Sequence, residues 1–438
     1  LVTEYFHPDT ASTGQLMTDL AVGLKERGLD IQVYTGQPNY HSGENDKQPV
    51  EDTHDGVPIR RIRAPQVRQS SPPRRLFNWA VFTVWMSVVL LVDSTETERE
   101  LFFVTCPPIL PEAMWAVCQL RGWEYTYIAY DLYPDSPAEL GYIKKGGVLH
   151  QLWEGIDRRA FRNAKHIVAL GPVMKNRIRN KAGDGFDEDR IRIIHNWEDE
   201  NFITPLAKED NRFSQKHDLV EPFTILYSGN IAPYHDLETL VDAAAEIQDG
   251  DGVDEMGDGE KADETQNGNR DDEIQFLIIG EGDSKQHVVE HAEERGVHGT
   301  QIQFLPYQPL EELPYSLTSG DISVVSVQEG LEGVCVSCKL YTAMAAGRPL
   351  LVISQPNDDE ARIVDQFDAG TSVEQGNVEG VVEAIERWSN NPELRDRQGE
   401  NARAAFEEHF VKENAIDQYY EMLTDHQVTG SEPLEVTA

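Results

Sequence analysis

The sequence predicts an α/β protein of two domains, each an open sheet of mainly parallel strands with helices between them. Three segments carry that prediction. Thr224-Ile-Leu-Tyr-Ser-Gly-Asn230 reads as a buried strand ending in Gly229, and Asp236 then caps a helix with apolar positions at Leu237, Leu240, Val241 and Ala244. Ile274-Gln-Phe-Leu-Ile-Ile-Gly280 is a second such strand, followed by Gly282; these glycines let backbone approach a ligand closely. Gly333-Val-Cys-Val-Ser-Cys-Lys-Leu-Tyr-Thr-Ala-Met-Ala-Ala-Gly-Arg-Pro349 reads as loop, helix and stop. Ser337 is expected to cap that helix, with Lys339 in its first turn, where amides and the helix dipole favour an anion. Gly347 and Pro349 end it. Strand ends converging on one crevice are where an open α/β sheet binds ligand, and a serine, a lysine and amides together suit a phosphate.

The remaining elements follow in order. Ile31–Thr35 alternates as a strand, and 101–105 and 125–129 read as buried strands. His166–Leu170 and Ile191–Ile194 close an N-terminal domain over residues 1–200. Polar sequence over 201–222 reads as a linker, and 223–411 as the second domain. A last helix, about 412–425, is expected to pack back on the first domain, ahead of a disordered tail, 426–438. The chain opens on the tail of a strand with no initiator Met, so a short preceding segment is expected.

The order Ser228-Gly-Asn230, Gly280-Glu-Gly282 and Ser337-Cys-Lys-Leu-Tyr…Gly347-Arg-Pro349 resembles the nucleotide-sugar domain of retaining glycosyltransferases of the GT-B fold. The likeness is to the family 4 enzymes that build cell-surface polysaccharides. Tyr5-Phe-His-Pro8 with Thr13-Gly14 is similar to that family's first β–loop–α unit, and Asp131-Leu-Tyr-Pro-Asp135 to its Asp-x-x-Pro turn. The resemblance implies two Rossmann-like domains facing across a cleft, and a sugar moved from a nucleotide-diphosphate donor, UDP-linked by expectation. It implies a lipid-linked or glycan acceptor and no cofactor or metal. Donor contacts are expected at Gly14, Gly229, Asn230, Gly280, Gly282, Ser337, Lys339, Leu340 and Tyr341. Catalytic roles are expected for Lys339 on the leaving diphosphate, His235 as a second donor when protonated, and Asp131 in the first domain. The departing phosphate is expected to assist the acceptor hydroxyl on one face of the sugar. Where relatives carry Arg and Lys after the strand glycine, this chain has Asn230 and His235; where they carry two glutamates eight positions apart, it has Val334 and Thr342, with Glu329 or Glu332 as substitutes for the first. Tyr130 stands where relatives have His. A GT-B UDP-N-acetylglucosamine 2-epimerase and a non-catalytic nucleotide- or glycan-binding protein are the alternatives.

The 438 residues carry a formal charge of −39, with only 13 Lys beside 25 Arg. That excludes nucleic acid as an expected partner and resembles proteins of a salt-saturated cytoplasm, where screening relieves self-repulsion. Residues 249–273 hold 11 acidic residues and few apolar ones, so a disordered insertion is expected there, with a calcium loop as the sharper alternative. Cys335 and Cys338 are expected to pack at a helix start rather than bind metal. Leu76–Val92 holds 17 residues without a charge, 14 of them apolar. Arg60, Arg61, Arg63, Arg68, Arg74 and Arg75 precede it. A helix buried between layers is one reading. Another is a membrane-dipping helix, with Arg74, Arg75, Trp79 and Trp85 against an anionic lipid surface or a lipid-diphosphate acceptor, and the third is a spanning helix at the bottom of the length range. The expected location is cytoplasmic, peripheral on the inner face of the plasma membrane.

Overall fold

The computed structural model describes residues 1–9, 11–38, 47–63, 72–94, 99–253 and 274–424. They form two compact units. The first takes Leu1–Trp197, Gly333–Val336 and, among the described residues, 412–424; the second takes Glu198–Glu332 and Ser337–Val411.

The first unit runs α1 (Ser12–Glu26), β1 (Val33–Thr35), β2 (Glu51–His54), β3 (Val57–Arg61), α2 (Pro72–Val92), β4 (Glu100–Val104), α3 (Leu110–Arg121), β5 (Glu124–Ile128), α4 (Asp135–Glu139), α5 (Val148–Asn163), β6 (His166–Ala169), α6 (Pro172–Ala182) and β7 (Ile191–Ile193). Strands β4-β5-β6-β7 are parallel neighbours, and β1-β3-β2 lie beside them. Val2 bridges Tyr34 on one side and Phe103 on the other, both in parallel, and so joins the two sets. The β2–β3 hairpin is absent from the sequence reading, because Glu51–His54 is polar and half exposed. Its partner strand corrects one expectation. Arg61 is buried at 1% exposure, paired with Asp52 at 2.8 Å and donating to the His7 carbonyl at 2.7 Å, so it faces the interior rather than a lipid surface. Arg68 lies outside the described residues.

The second unit runs α7 (Arg212–Lys216), β8 (Phe223–Ser228), α8 (Glu238–Val253), β9 (Ile274–Ile279), α9 (Lys285–Glu294), β10 (Ile302–Leu305), α10 (Leu313–Leu317), β11 (Ile322–Ser326), α11 (Lys339–Ala345), β12 (Leu350–Ile353), α12 (Asp359–Phe367), β13 (Gly370–Val373), α13 (Val378–Ser389) and α14 (Pro392–His409). All six strands are parallel in the order β10-β9-β8-β11-β12-β13, the doubly wound pattern. Their apolar runs are buried on both faces, as strands covered by helices must be. The segment 201–222 is not a linker: the unit begins at Glu198, and Phe213 and Leu219 pack with Leu226, Leu277 and Ile279. Asn211 Oδ1 accepts from the amide of Phe213 at 2.9 Å and so starts α7. Helix α8 reaches Val253, so the acidic stretch begins inside a helix; 254–273 and 426–438 lie outside the described residues. A final helix, α15 (Lys412–Thr424), belongs to the first unit. It packs on α1, where a Cβ on Gly23 would stand 2.4 Å from Ile416 Cδ1.

Candidate functional site

At the carboxyl ends of β8 and β9 the backbone makes three tight approaches. Gly229 has φ +147°, and a Cβ there would stand 2.3 Å from Lys339 Cε. The lysine stem therefore lies across the glycine, which no larger residue permits. A Cβ on Gly280 would meet the Gly229 carbonyl oxygen at 1.9 Å, and one on Gly282 the Ile231 carbonyl oxygen at 2.2 Å. These two glycines make room for the neighbouring strand-end loop, and that packing holds Gly229 where Lys339 needs it. Asn230 is exposed beside them.

Lys339 opens α11, and its ammonium donates to His235 Nε2 at 2.9 Å. An ammonium has no acceptor, so Nε2 must carry the lone pair and Nδ1 the proton. Nδ1 then donates to the Ser326 carbonyl at 2.7 Å. Burial, then the lysine charge, push the His235 pKa down to about 3. His235 is accordingly neutral at physiological pH and is not a second phosphate cation; it aims the lysine. The Lys339 ammonium also sits 5.4 Å from the centre of the Tyr227 ring.

Three further expectations change here. Ser337 does not cap α11: Cys338 stands at the cap position without a side-chain bond, and the Ser337 hydroxyl is buried with no hydrogen-bond partner among the described residues. Leu340 and Tyr341 are fully buried, with Tyr341 against Phe410, so their side chains anchor the helix rather than meet a donor. The residue that sequence reasoning missed is Glu360. It is wholly buried, and its Oε1 accepts from the Ser337 amide at 2.6 Å. Burial, then the charge of Asp358, raise its pKa well above the ordinary carboxylate value, and Asp358 is pushed up to about 7, mainly by burial. Nothing local in the sequence separates either from the acidic start of a surface helix. Of the glutamates named as substitutes, Glu329 is exposed, and Glu332 accepts from the Gly330 amide at 2.8 Å.

In the first unit, Asp131 follows β5. Thr105 Oγ1 accepts from its amide at 3.0 Å, and its backbone pairs with Cys335. Burial pushes its carboxyl up to about 6. Glu4, past the Val2 bridge, is pushed up to about 8 by burial and then by Asp9. Trp79 stands half-buried with its indole toward Glu4, so it is turned inward rather than to a membrane, while Trp85 is 45% exposed. Gly14 lies buried inside the first turn of α1, close to Tyr5 Cβ and the Asp9 carbonyl. Among the described residues, no group of three or more His, Cys, Asp or Glu could hold a metal ion.

Two family models match the chain: a glycosyl transferase 4-like domain over residues 13–197 and glycosyl transferases group 1 over 208–405. The chain belongs to the family 4-type glycosyltransferases of the GT-B fold. Curated relatives of this glycosyltransferase include the putative colanic acid biosynthesis glycosyl transferase WcaI of Escherichia coli (strain K12), 23% identical with 94% of this chain and 96% of the relative covered. The probable glycosyltransferase WbjE of Pseudomonas aeruginosa is also 23% identical, with 66% of each chain covered. Among solved structures, sucrose-phosphate synthase from Thermosynechococcus elongatus superposes with a TM-score of 0.70 at 15% identity, over 97% of both chains. Anabaena HepE, solved with UDP and glucose, gives a TM-score of 0.66 at 12% identity, over 97% of this chain and 98% of that one.

Proposed function

We propose that this glycosyltransferase moves a hexosyl or N-acetylhexosaminyl group, with retention of configuration, from a UDP-sugar to a lipid-linked or glycan acceptor in cell-surface polysaccharide synthesis. The observation that carries the reading is the Lys339 ammonium, laid across Gly229 and aimed by a neutral His235. Charge developing on a leaving diphosphate needs a fixed donor, and a cation at the strand ends supplies one without a metal. HepE, of the same fold, was solved with UDP. Asp131 is assigned the acceptor hydroxyl, a reading that its raised carboxyl supports. The exposed Arg74 and the half-buried Arg75 at the start of α2 suit an anionic headgroup or lipid diphosphate on the inner membrane face. The −39 charge suits a high-salt cytoplasm.

A thermal-shift screen of nucleotide sugars in molar potassium chloride, with Lys339→Ala alongside, tests this. A ligand at 100 times its dissociation constant stabilises a protein by about 2.7 kcal/mol. A UDP-sugar that raises the midpoint of wild type and not of Lys339→Ala supports the reading and identifies the donor. No shift from any nucleotide sugar on folded wild type overturns it.

A further inference from the structure

Helices α2, α3 and α5 share one face of the first sheet. Each joins parallel strands that step the same way across it, from β3 past β1 to β4, then to β5, then to β6. Right-handed crossovers therefore place all three helices on the same side, and α3 packs against both of the others. Every soluble layer of this kind should turn polar residues outward. Two of these helices turn large apolar ones outward as well.

On α5, Asp157, Ala160 and Phe161 point to the core. Beside that face, toward solvent, stand Val148 at 76% exposure, Leu149 at 60%, Leu152 at 64% and Ile156 at 39%, with Tyr142 at 69% in the loop before the helix. Positions 148, 149, 152 and 156 recur at helical spacing, so they make one stripe rather than scattered contacts. The charge around the stripe runs against the rest of the chain. Between residues 141 and 163 there are five cations and two carboxylates. One of the carboxylates, Asp157, is buried. Lys144, Arg158 and Arg159 are exposed at the two ends of the stripe. Helix α2 shows the same composition, with Val84, Trp85 and Val88 exposed and Arg74 at its start.

We propose that the α5 stripe, with Tyr142 and its flanking cations, docks on an anionic lipid surface beside α2, so that the first unit meets the bilayer at two places. An apolar stripe with Tyr at one end and Lys and Arg around it is the composition of an interfacial helix. Its charge complements anionic lipid and opposes a second copy of itself, which would bring cations against cations. The proposal extends the membrane placement given above and does not depend on the transfer chemistry.

Flotation with vesicles of equal phosphatidylglycerol and phosphatidylcholine tests it, at a salt concentration where circular dichroism shows the full chain folded. Wild type is expected to float with these vesicles and several-fold less with phosphatidylcholine alone. Leu149→Asp/Leu152→Asp is expected to lower the bound fraction at least tenfold. Lys144→Glu/Arg159→Glu, which leaves every apolar contact intact and guards against misfolding of the first variant, should lose binding as salt is lowered. Phe77→Asp/Trp85→Asp separates the α2 contact. Wild type that stays with the protein pool overturns the proposal. So does an α5 variant that floats like wild type while the α2 variant does not. Light scattering that finds a dimer dissolved by Leu149→Asp/Leu152→Asp, with no flotation, assigns the stripe to a second copy and overturns it as well.

Discussion

The carboxyl ends of the two sheets differ by one cation: both hold buried acids, and the second adds Lys339. In the first unit they collect acids, and burial lifts Glu4 to about 8 and Asp131 to about 6. In the second they present a lysine, and burial pushes the neighbouring His235 down to about 3. One physical cause, desolvation of a charge, acts in both places. In the acidic unit it yields carboxyls able to hold or take a proton near neutrality. In the other it silences a histidine and leaves the lysine as the fixed charge, with a neutral ring to aim it. A histidine at a strand end is therefore not evidence of a second cation once a lysine stands 2.9 Å away.

The largest expected effect comes from removing the cation. Lys339→Ala should lower turnover of the UDP-sugar donor by about 10²–10³, the loss typical of one stabilising donor, and should abolish the thermal shift with UDP. Turnover at the wild-type rate would break the comparison at its cationic end. Asp131→Asn probes the other end. Sugar transfer should fall by roughly 10², while the thermal shift with UDP stays as in wild type. A variant that loses UDP binding as well would place Asp131 among donor contacts and merge the two roles.

The central buried strands were legible because buried parallel strands are apolar runs: Ile274–Ile279 lies within the segment expected, and Phe223–Ser228 begins one residue before its own, while the polar β2–β3 hairpin was not legible. Arg61 was not legible as a buried residue. Nothing local distinguishes an arginine paired with Asp52 across a hairpin from one facing solvent, and the pairing is tertiary. The same reason hides Glu360: the run Asn357-Asp-Asp-Glu360 has the composition of a solvated helix start. Lys339 was legible through its helix and its glycine stop, but its partner's charge state was not, since that depends on burial and on a contact spanning over a hundred residues. Gly280 and Gly282 were legible as positions that only glycine fits, while what they make room for was decided by the fold.

The titrations make the comparison visible in stability. The folded pKa of Glu4, about 8, lies above its ordinary 4.5. Its contribution is present below pH ~4.5 and is lost as pH rises toward ~8. His235 has the opposite sign. Its folded pKa, about 3, lies below the ordinary 6.5, so the unfolded chain takes up the proton first as pH falls. That contribution is full above pH ~6.5 and declines toward pH ~3. Each slope is about 1.4 kcal/mol per pH unit at most. Melting midpoints across pH should show Glu4→Gln flattening the alkaline side of the curve and His235→Gln the acid side. A single variant that flattens both, or variants that act on the wrong sides, would contradict the assigned protonation states.

The smallest effect expected is also the most discriminating, because it separates packing from chemistry in the cationic unit. Glu360 Oε1 accepts from the Ser337 amide, two residues ahead of Lys339. Burial raises its pKa and so favours the uncharged form, and the interaction asks for an acceptor oxygen rather than for a charge. Glu360→Gln retains that oxygen and should change stability by less than about 1 kcal/mol, within the span of one ordinary hydrogen bond. Glu360→Ala leaves a buried N–H without its acceptor, which costs about 1–3 kcal/mol. It also frees the loop that leads into α11, so it should raise KM for the donor with little change in kcat. Equal behaviour of the two variants in chemical denaturation and in KM would mean that the carboxyl acts through its charge, and that the loop before Lys339 is held by something other than this bond.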